Sequence, residues 1–126
     1  TENSRKSKRI QMPKRGEIWL ANLNPRRGTE PGKTRPVLIV QAPSLLDAGH
    51  PSTLVIPLTT SVVKDAEPLR IYVPAAGKMN KASDLMVDQM RAIDNRRLTK
   101  GPLHRLDKAA MVAVDSAVAE VLGLGE

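Results

Sequence analysis

Short apolar stretches separated by turn-forming residues make up most of the first three quarters of the chain. Each is rich in β-branched residues or alternates between apolar and polar positions, which is typical of strands. The predicted strands are residues 17–23, 35–41, 53–61, 69–74 and 84–93. Pro57 lies inside the third of them and predicts an edge position or a bulge, because proline donates no backbone hydrogen bond.

One amphipathic helix is predicted after the last strand. Its apolar residues recur on one face at helical spacing, namely Met111, Val114, Val118, Val121 and Leu122. Asp107 is placed to cap its N-terminus and Gly123 to end it. Residues 94–106 are polar and are expected to form a connection. Strands joined by short turns, with one helix at the end, predict a small, strongly curved antiparallel sheet or barrel, mainly β with α.

The composition is typical of a single cytoplasmic domain. A chain of 126 residues is large enough for one hydrophobic core and too small for two. No apolar run approaches the length of a membrane span, and the polar N-terminus is unlike a signal peptide. The chain has no cysteine, and its two histidines, His50 and His104, are far apart in sequence. We therefore expect no disulfide, metal or cofactor.

The positive charge is concentrated at the N-terminus. Residues 1–15 hold six basic residues and one acidic residue, so they carry +5 of the net charge of +7. We expect residues 1–13 to be a disordered basic extension, with a specific RNA-binding arm as the alternative. The chain has only two aromatic residues, so nucleic acid would have to be recognised by loops and hydrogen bonds more than by stacking.

The loop after the first predicted strand contains "GTEPGKTRP", which resembles the end of a phosphate-binding P-loop. The spacing is one residue short of that motif, because only Thr29, Glu30 and Pro31 separate Gly28 from the Gly-Lys pair. A P-loop also opens a helix, whereas "VLIVQ" follows here and predicts a strand. The loop is therefore a basic connection between two strands, and not a nucleotide cradle.

Three blocks along the chain resemble the signature blocks of the MazF/PemK toxins. They are "RGEIWLANLNPRRGTEPGKTRPVLIVQ", "VIPLTTS" and "DLMVDQMRAIDNRRL", in the family's order and spacing. The resemblance runs from about Lys14 through the predicted helix, so residues 14–126 are interpreted as the toxin domain. It implies an SH3-like barrel of the CcdB/MazF type with a C-terminal helix, and a homodimer.

The resemblance also implies an activity. Such proteins are toxin components of toxin–antitoxin systems and cut single-stranded mRNA at specific sequences. The cleavage needs no metal and leaves a 2′,3′-cyclic phosphate and a 5′-hydroxyl. The implied partners are RNA and a MazE-like antitoxin whose acidic, flexible segment covers the RNA site.

The resemblance places the catalytic centre at Arg35 and Thr59. A guanidinium suits phosphate oxygens, and a threonine hydroxyl can donate to them or orient the 2′-hydroxyl. Glu30 is the one carboxylate of the loop and a candidate base. A salt bridge to Arg26, Arg27 or Lys33 is its alternative role.

Seven further residues are candidates for RNA binding. They are Arg26, Arg27, Lys33, Thr60, Ser61, Asp88 and Gln89. Some relatives use an arginine–aspartate pair in the third block together with a histidine in the first loop. Here Met86 and Thr29 stand at the arginine and histidine positions, so Asp88 and Gln89 are interpreted as base-reading or scaffold residues. Arg91 and Asp94 are expected to form a local ion pair.

Two other functions fit the same pattern. A gyrase poison of the same fold acts through protein contacts and needs no phosphate-cleaving centre. A non-catalytic SH3-like module would hold RNA through its basic charge without cutting it. The presence of Glu30, Arg35 and Thr59 in their blocks favours the nuclease.

Overall fold

The computed structural model describes residues 12–125. Most of the expected disordered extension, residues 1–11, lies outside the described residues. The strands are β1 (Glu17–Asn22), β2 (Thr34–Ile39), β3 (Ser52–Thr59), β4 (Arg70–Val73), β5 (Ser83–Met86), β6 (Arg91–Asp94) and β7 (Leu98–Arg105). The α-helices are α1 (Pro43–Asp47) and α2 (Lys108–Val121), and short 3-10 turns cover Val87–Gln89 and Asn95–Arg97. Across the described residues, no helix is both long enough and apolar enough to span a bilayer.

All the strands pair antiparallel in the order β4-β5-β3-β2-β1-β7, and β6 pairs with the first half of β3. The two ends of this order, β4 and β7, are not paired with each other, so the barrel is not closed. One backbone bond partly bridges the gap, because Lys78 N donates to Leu103 O of β7 at 2.7 Å. The predicted fold class is confirmed as a curved antiparallel sheet with a C-terminal helix.

The sheet is covered on both faces. One core cluster contains Ile18, Leu38 and Ile56 together with Met111 and Val114 of α2. The other contains Trp19, Ala21, Val37, Val55 and Leu46 of α1. Neighbouring residues of β1 therefore enter different clusters, and the strand is buried on both faces where the sequence predicted simple alternation.

Of the two positions predicted for Pro57, the sheet edge was wrong. Pro57 is buried in the central strand β3, opposite Val37 of β2. On its other side β3 pairs with β6 up to Val55 and with β5 from Leu58 onward. Pro57 lies between the residues of β3 that pair with β6 and those that pair with β5, so its missing N–H costs little.

Two further segments differ from prediction. Residues 84–93 form β5, a 3-10 turn and β6 rather than one strand, which lets them pair with β3 at two separate places. Residues 94–106 contain β7, which pairs along β1. Polar residues form a strand there because β7 lies at the edge of the sheet, where its side chains are mostly half-buried or exposed. The helix is as predicted, with the Asp107 side chain accepting from Ala110 N at 2.8 Å.

Candidate functional site

The loop between β1 and β2 is tied together at its base. Leu23 N donates to Lys33 O, and Lys33 N donates to the Asn24 side-chain oxygen, both at 2.8 Å. Lys33 has a left-handed backbone, with φ of 67°, which is uncommon outside glycine. Gly32 lies against Arg26, where an added Cβ would come within 2.6 Å of the Arg26 Cβ. The sequence Gly32-Lys33 therefore lets the loop fold back beside the start of β2.

Arg35 is held by two backbone carbonyls. Its Nε donates to Gly32 O at 2.9 Å, and its Nη1 donates to Leu58 O at 3.2 Å. Burial lowers the pKa of the half-buried guanidinium below its usual value, and the positive charge of Arg26 lowers it further. Among the described residues its Nη2 makes no hydrogen bond, so that donor remains for a ligand.

Arg35 and Thr59 meet because of the sheet register. Val37 lies opposite Pro57 in the antiparallel pair of β2 and β3. Continuing this register by two residues puts Arg35 opposite Thr59. The hydrogen bond from Arg35 to the carbonyl of Leu58, the neighbour of Thr59, keeps the two side chains close. Thr59 Oγ1 accepts from Ser61 N at 3.2 Å, which leaves the hydroxyl hydrogen available to donate.

A buried carboxylate fixes the turn that follows Thr59. Asp84 of β5 lies opposite Thr59, is only 1% exposed, and accepts from Val63 N at 2.8 Å. Arg70 Nη1 lies 3.6 Å from the same carboxylate and donates to Ser61 O at 3.2 Å. Sequence reasoning missed both residues, because nothing in their spacing shows that they meet beneath this turn.

Two adjoining cavities open beside the Arg35–Thr59 pair. The larger, about 650 Å³, and the smaller, about 530 Å³, share Lys33, Arg35, Thr59 and Ser61 in their walls. A third cavity of about 340 Å³ continues from the smaller one, because both are lined by Thr29 and Met86. The pair therefore stands at the junction of a branched groove.

The structure brings most of the predicted site residues to this groove. Glu30 and Arg26 line the smaller cavity, Thr60 lines the larger, and Asp88 and Gln89 line the third. Arg27 is exposed and lines none of the three. Within residues 12–125, Glu30 does not form the salt bridge to a neighbouring basic residue that was its alternative role.

Three lysines of the larger cavity were missed by sequence reasoning. Lys78 and Lys81 come from the β4–β5 connection, and Lys100 comes from β7. No local pattern joins these segments, since they meet only through the nearly closed sheet. The expected Arg91–Asp94 pair was wrong, because Asp94 binds Arg96 at 3.0 Å, which lowers its pKa to about 2. In residues 12–125, no three His, Cys, Asp or Glu side chains are grouped as metal ligands.

The fold and the basic groove define a class of small protein built on a curved antiparallel sheet. The family model described as "PemK-like, MazF-like toxin of type II toxin-antitoxin system" matches residues 14–122. An endoribonuclease MazF from Staphylococcus epidermidis is 34% identical over 117 residues, covering 90% of this chain and 93% of that relative.

Solved structures share the fold. MazF from Deinococcus radiodurans has a TM-score of 0.76 at 21% identity, with 91% of this chain and 100% of that chain covered. A mycobacterial endoribonuclease in complex with its cognate antitoxin has a TM-score of 0.68 at 19% identity, covering 93% and 99%.

The chain belongs to the PemK-like, MazF-like toxin family of type II toxin–antitoxin systems. The prediction that it is an endoribonuclease toxin is confirmed by this match and by the curated relative.

Proposed function

We propose that this toxin is cytoplasmic and cuts single-stranded mRNA at specific sequences without a metal ion. The 2′-oxygen of a ribose attacks the adjacent phosphorus, and the bond to the 5′-oxygen of the next nucleotide breaks. The products carry a 2′,3′-cyclic phosphate and a 5′-hydroxyl. The reaction requires removal of the 2′-hydroxyl proton, stabilisation of the phosphorane charge and a proton for the leaving oxygen.

Arg35 stabilises the negative charge that develops on the phosphate oxygens. Its two carbonyl partners hold the guanidinium in place before substrate arrives, so little reorganisation is needed in the transition state. The high pKa of arginine makes it a poor base, and the lowering by burial and Arg26 strengthens it as a hydrogen-bond donor. Preorganised charge is therefore its main contribution.

Thr59 and Glu30 complete the centre. The Thr59 oxygen is fixed by Ser61 N, so its hydroxyl hydrogen can point to a phosphate oxygen or to the 2′-oxygen. Glu30 lines the same cavity as Arg35 and Thr59 and accepts the 2′-hydroxyl proton. Solvent or the protonated Glu30 supplies the proton for the leaving oxygen.

The proposal extends to the protein's partners. A homologous mycobacterial endoribonuclease has been solved with its cognate antitoxin. We propose that an antitoxin of the MazE type places an acidic, flexible segment in the basic groove of this chain and so competes with RNA. The active toxin is proposed to be a homodimer, and residues 14–126 to be its folded domain.

The observation that carries the proposal is that Arg35 and Thr59 line the same two cavities. The register of β2 and β3, continued by two residues, puts them opposite each other. The test is to incubate the purified chain with a long transcript in excess EDTA and to identify the fragment ends. We expect discrete fragments with 5′-hydroxyl ends. Arg35→Ala should slow cleavage by about 100- to 1000-fold, as for loss of one preorganised donor to a charged transition state.

Arg96→Ala is the matched control, because Arg96 is 90% exposed and lines none of the three cavities. It should cut at the parent rate. Equal rates for Arg35→Ala and the parent would remove Arg35 from the mechanism. Intact RNA with inhibited gyrase would instead support a gyrase poison, and RNA that is bound but uncut would support a binding module.

A further inference from the structure

We infer that the two branches of the groove bind different parts of the RNA. The larger cavity holds the phosphates of nucleotides on one side of the cleaved bond, whatever their sequence. The two smaller cavities receive the bases that determine where cleavage occurs. This inference rests on the proposed function and assigns new roles to Lys78, Lys81 and Lys100.

The larger cavity suits a polyanion. Its wall contains Lys78, Lys81 and Lys100 in addition to the shared Lys33 and Arg35, and no aspartate or glutamate is among its lining residues. Phosphate contacts give affinity and position without reading sequence. A cavity of about 650 Å³ with only cationic charge is therefore a path for the RNA backbone.

Lys78 and Lys100 are held by the fold, and Lys81 lies in the bend just before β5. Lys78 N donates to Leu103 O of β7 at 2.7 Å, and the next residue, Met79, is buried in the core. The carbonyl of Lys81 accepts from the Ser83 hydroxyl at 3.4 Å. Lys100 lies opposite Leu20 of β1. The backbones of Lys78 and Lys100 are thus fixed relative to Arg35, which allows phosphates to be bound in register.

The other branch has different chemistry. Its two cavities contain the polar side chains of Asn24, Thr29 and Gln89 and the carboxylate of Asp88, together with the proposed base Glu30 and the cations Arg26, Arg70, Lys33 and Arg35. Carboxylates repel phosphates, whereas amide, hydroxyl and carboxylate groups are those that hydrogen-bond to the edges of unpaired bases. The Asn24 oxygen already accepts from Lys33 N, so its amide hydrogens remain to donate. This branch is suited to reading bases.

The test compares RNA substrates that extend to different lengths on either side of the cleaved sequence. The cleaved sequence is first mapped with the parent. Four oligonucleotides then carry that sequence alone, with a 5′ extension, with a 3′ extension, or with both. The variant is Lys78→Gln, Lys81→Gln and Lys100→Gln combined. The control, Lys14→Gln, Arg96→Gln and Lys108→Gln combined, loses the same charge outside the three cavities.

We expect kcat/KM of the lysine variant to fall about tenfold for substrates extended on one side and less than about twofold for the core sequence. Its cleavage position should not change. Binding is measured with a substrate that carries a 2′-deoxy substitution at the cleaved step. The plot of log K against log salt concentration should be less steep by about 2 for the lysine variant than for the parent, because each of the three lost phosphate contacts contributes about 0.7 in a single strand.

Gln89→Ala should do the opposite, altering the preferred sequence and leaving the salt slope unchanged. Equal losses for the lysine variant on the core and extended substrates, or a loss equal to that of the control, would overturn the inference alone. A change of cleaved sequence in the lysine variant would also overturn it. A parent that leaves every RNA intact would refute the proposed function instead. Urea unfolding of each variant identifies any loss caused by misfolding.

Discussion

Replacing Pro36 tests how the sheet positions Arg35. Val40 N donates to Leu54 O, so the residues of β2 that face β3 are those at even numbers, including position 36. In an unbroken ladder the amide at position 36 would donate to Leu58 O. Proline has no N–H, and Arg35 Nη1 donates to that carbonyl instead at 3.2 Å. Pro36→Ala supplies the missing donor, which should compete with Arg35.

The expected effect on stability is small, whereas the expected effect on activity is large. A new ladder bond contributes about 0.5–1.5 kcal/mol, and loss of the proline's restriction of the unfolded chain costs about 0.4–1 kcal/mol. The free energy of unfolding should therefore change by less than about 1 kcal/mol. Arg35 would lose one of its two orienting bonds, worth about 1.4 kcal/mol in the transition state, so kcat should fall about tenfold.

The assays are cleavage of a defined oligonucleotide, urea unfolding and hydrogen exchange of the amide at position 36. Pro43→Ala is the matched control, because Pro43 begins α1 outside the three cavities. Pro43→Ala also removes a proline's restriction of the unfolded chain, but position 43 is not part of the ladder between β2 and β3. This variant should therefore keep parent activity. A protected amide at position 36 with unchanged kcat would refute the reasoning, because Leu58 O would then accept both donors.

Three other substitutions test the surroundings of the site. Asp84→Asn keeps an acceptor for Val63 N but removes the charge that faces Arg70. The free energy of unfolding in urea should fall by about 1–2 kcal/mol, and kcat should fall more than KM changes. Parent values for both would contradict the positioning role of Asp84. Burial alone would raise the pKa of Glu17. Its hydrogen bonds to Trp19, Arg105 and the Lys14 backbone together outweigh burial, so the net pKa is lowered from its usual value of 4.5. Its stabilisation is therefore complete above pH 4.5 and lost as pH falls through the folded pKa. Glu17→Gln should cost about 2 kcal/mol at pH 7 and progressively less as the pH falls below 4.5; a cost independent of pH would show that packing alone matters. Lys33→Gly should relieve the strain of the left-handed backbone, so the free energy of unfolding should be equal or higher by up to about 1 kcal/mol. Cleavage should be slower. A lower melting temperature would show that the lysine side chain stabilises the fold.

The sequence predicts those parts of the structure that depend on local pattern. β1 to β4 and α2 follow from apolar spacing and end near the predicted residues. β7 was missed because an edge strand with mostly half-buried or exposed side chains carries no apolar period. Lys78 and Lys100 were missed for a related reason, since only the approach of β7 to the β4–β5 connection brings them together.

The position of the catalytic pair follows from strand order and two prolines. Antiparallel neighbours place the start of one strand beside the end of the other, so the first residues of β2 meet the last residues of β3. A regular ladder there would satisfy every carbonyl and leave a flat surface. Pro36 interrupts the hydrogen bonding between β2 and β3, and Pro57 lies where β3 changes partner from β6 to β5. The freed Leu58 carbonyl then binds a guanidinium, and the groove opens where the backbone pairing stops. The same missing hydrogen bond that weakens the sheet is what orients Arg35 toward Thr59.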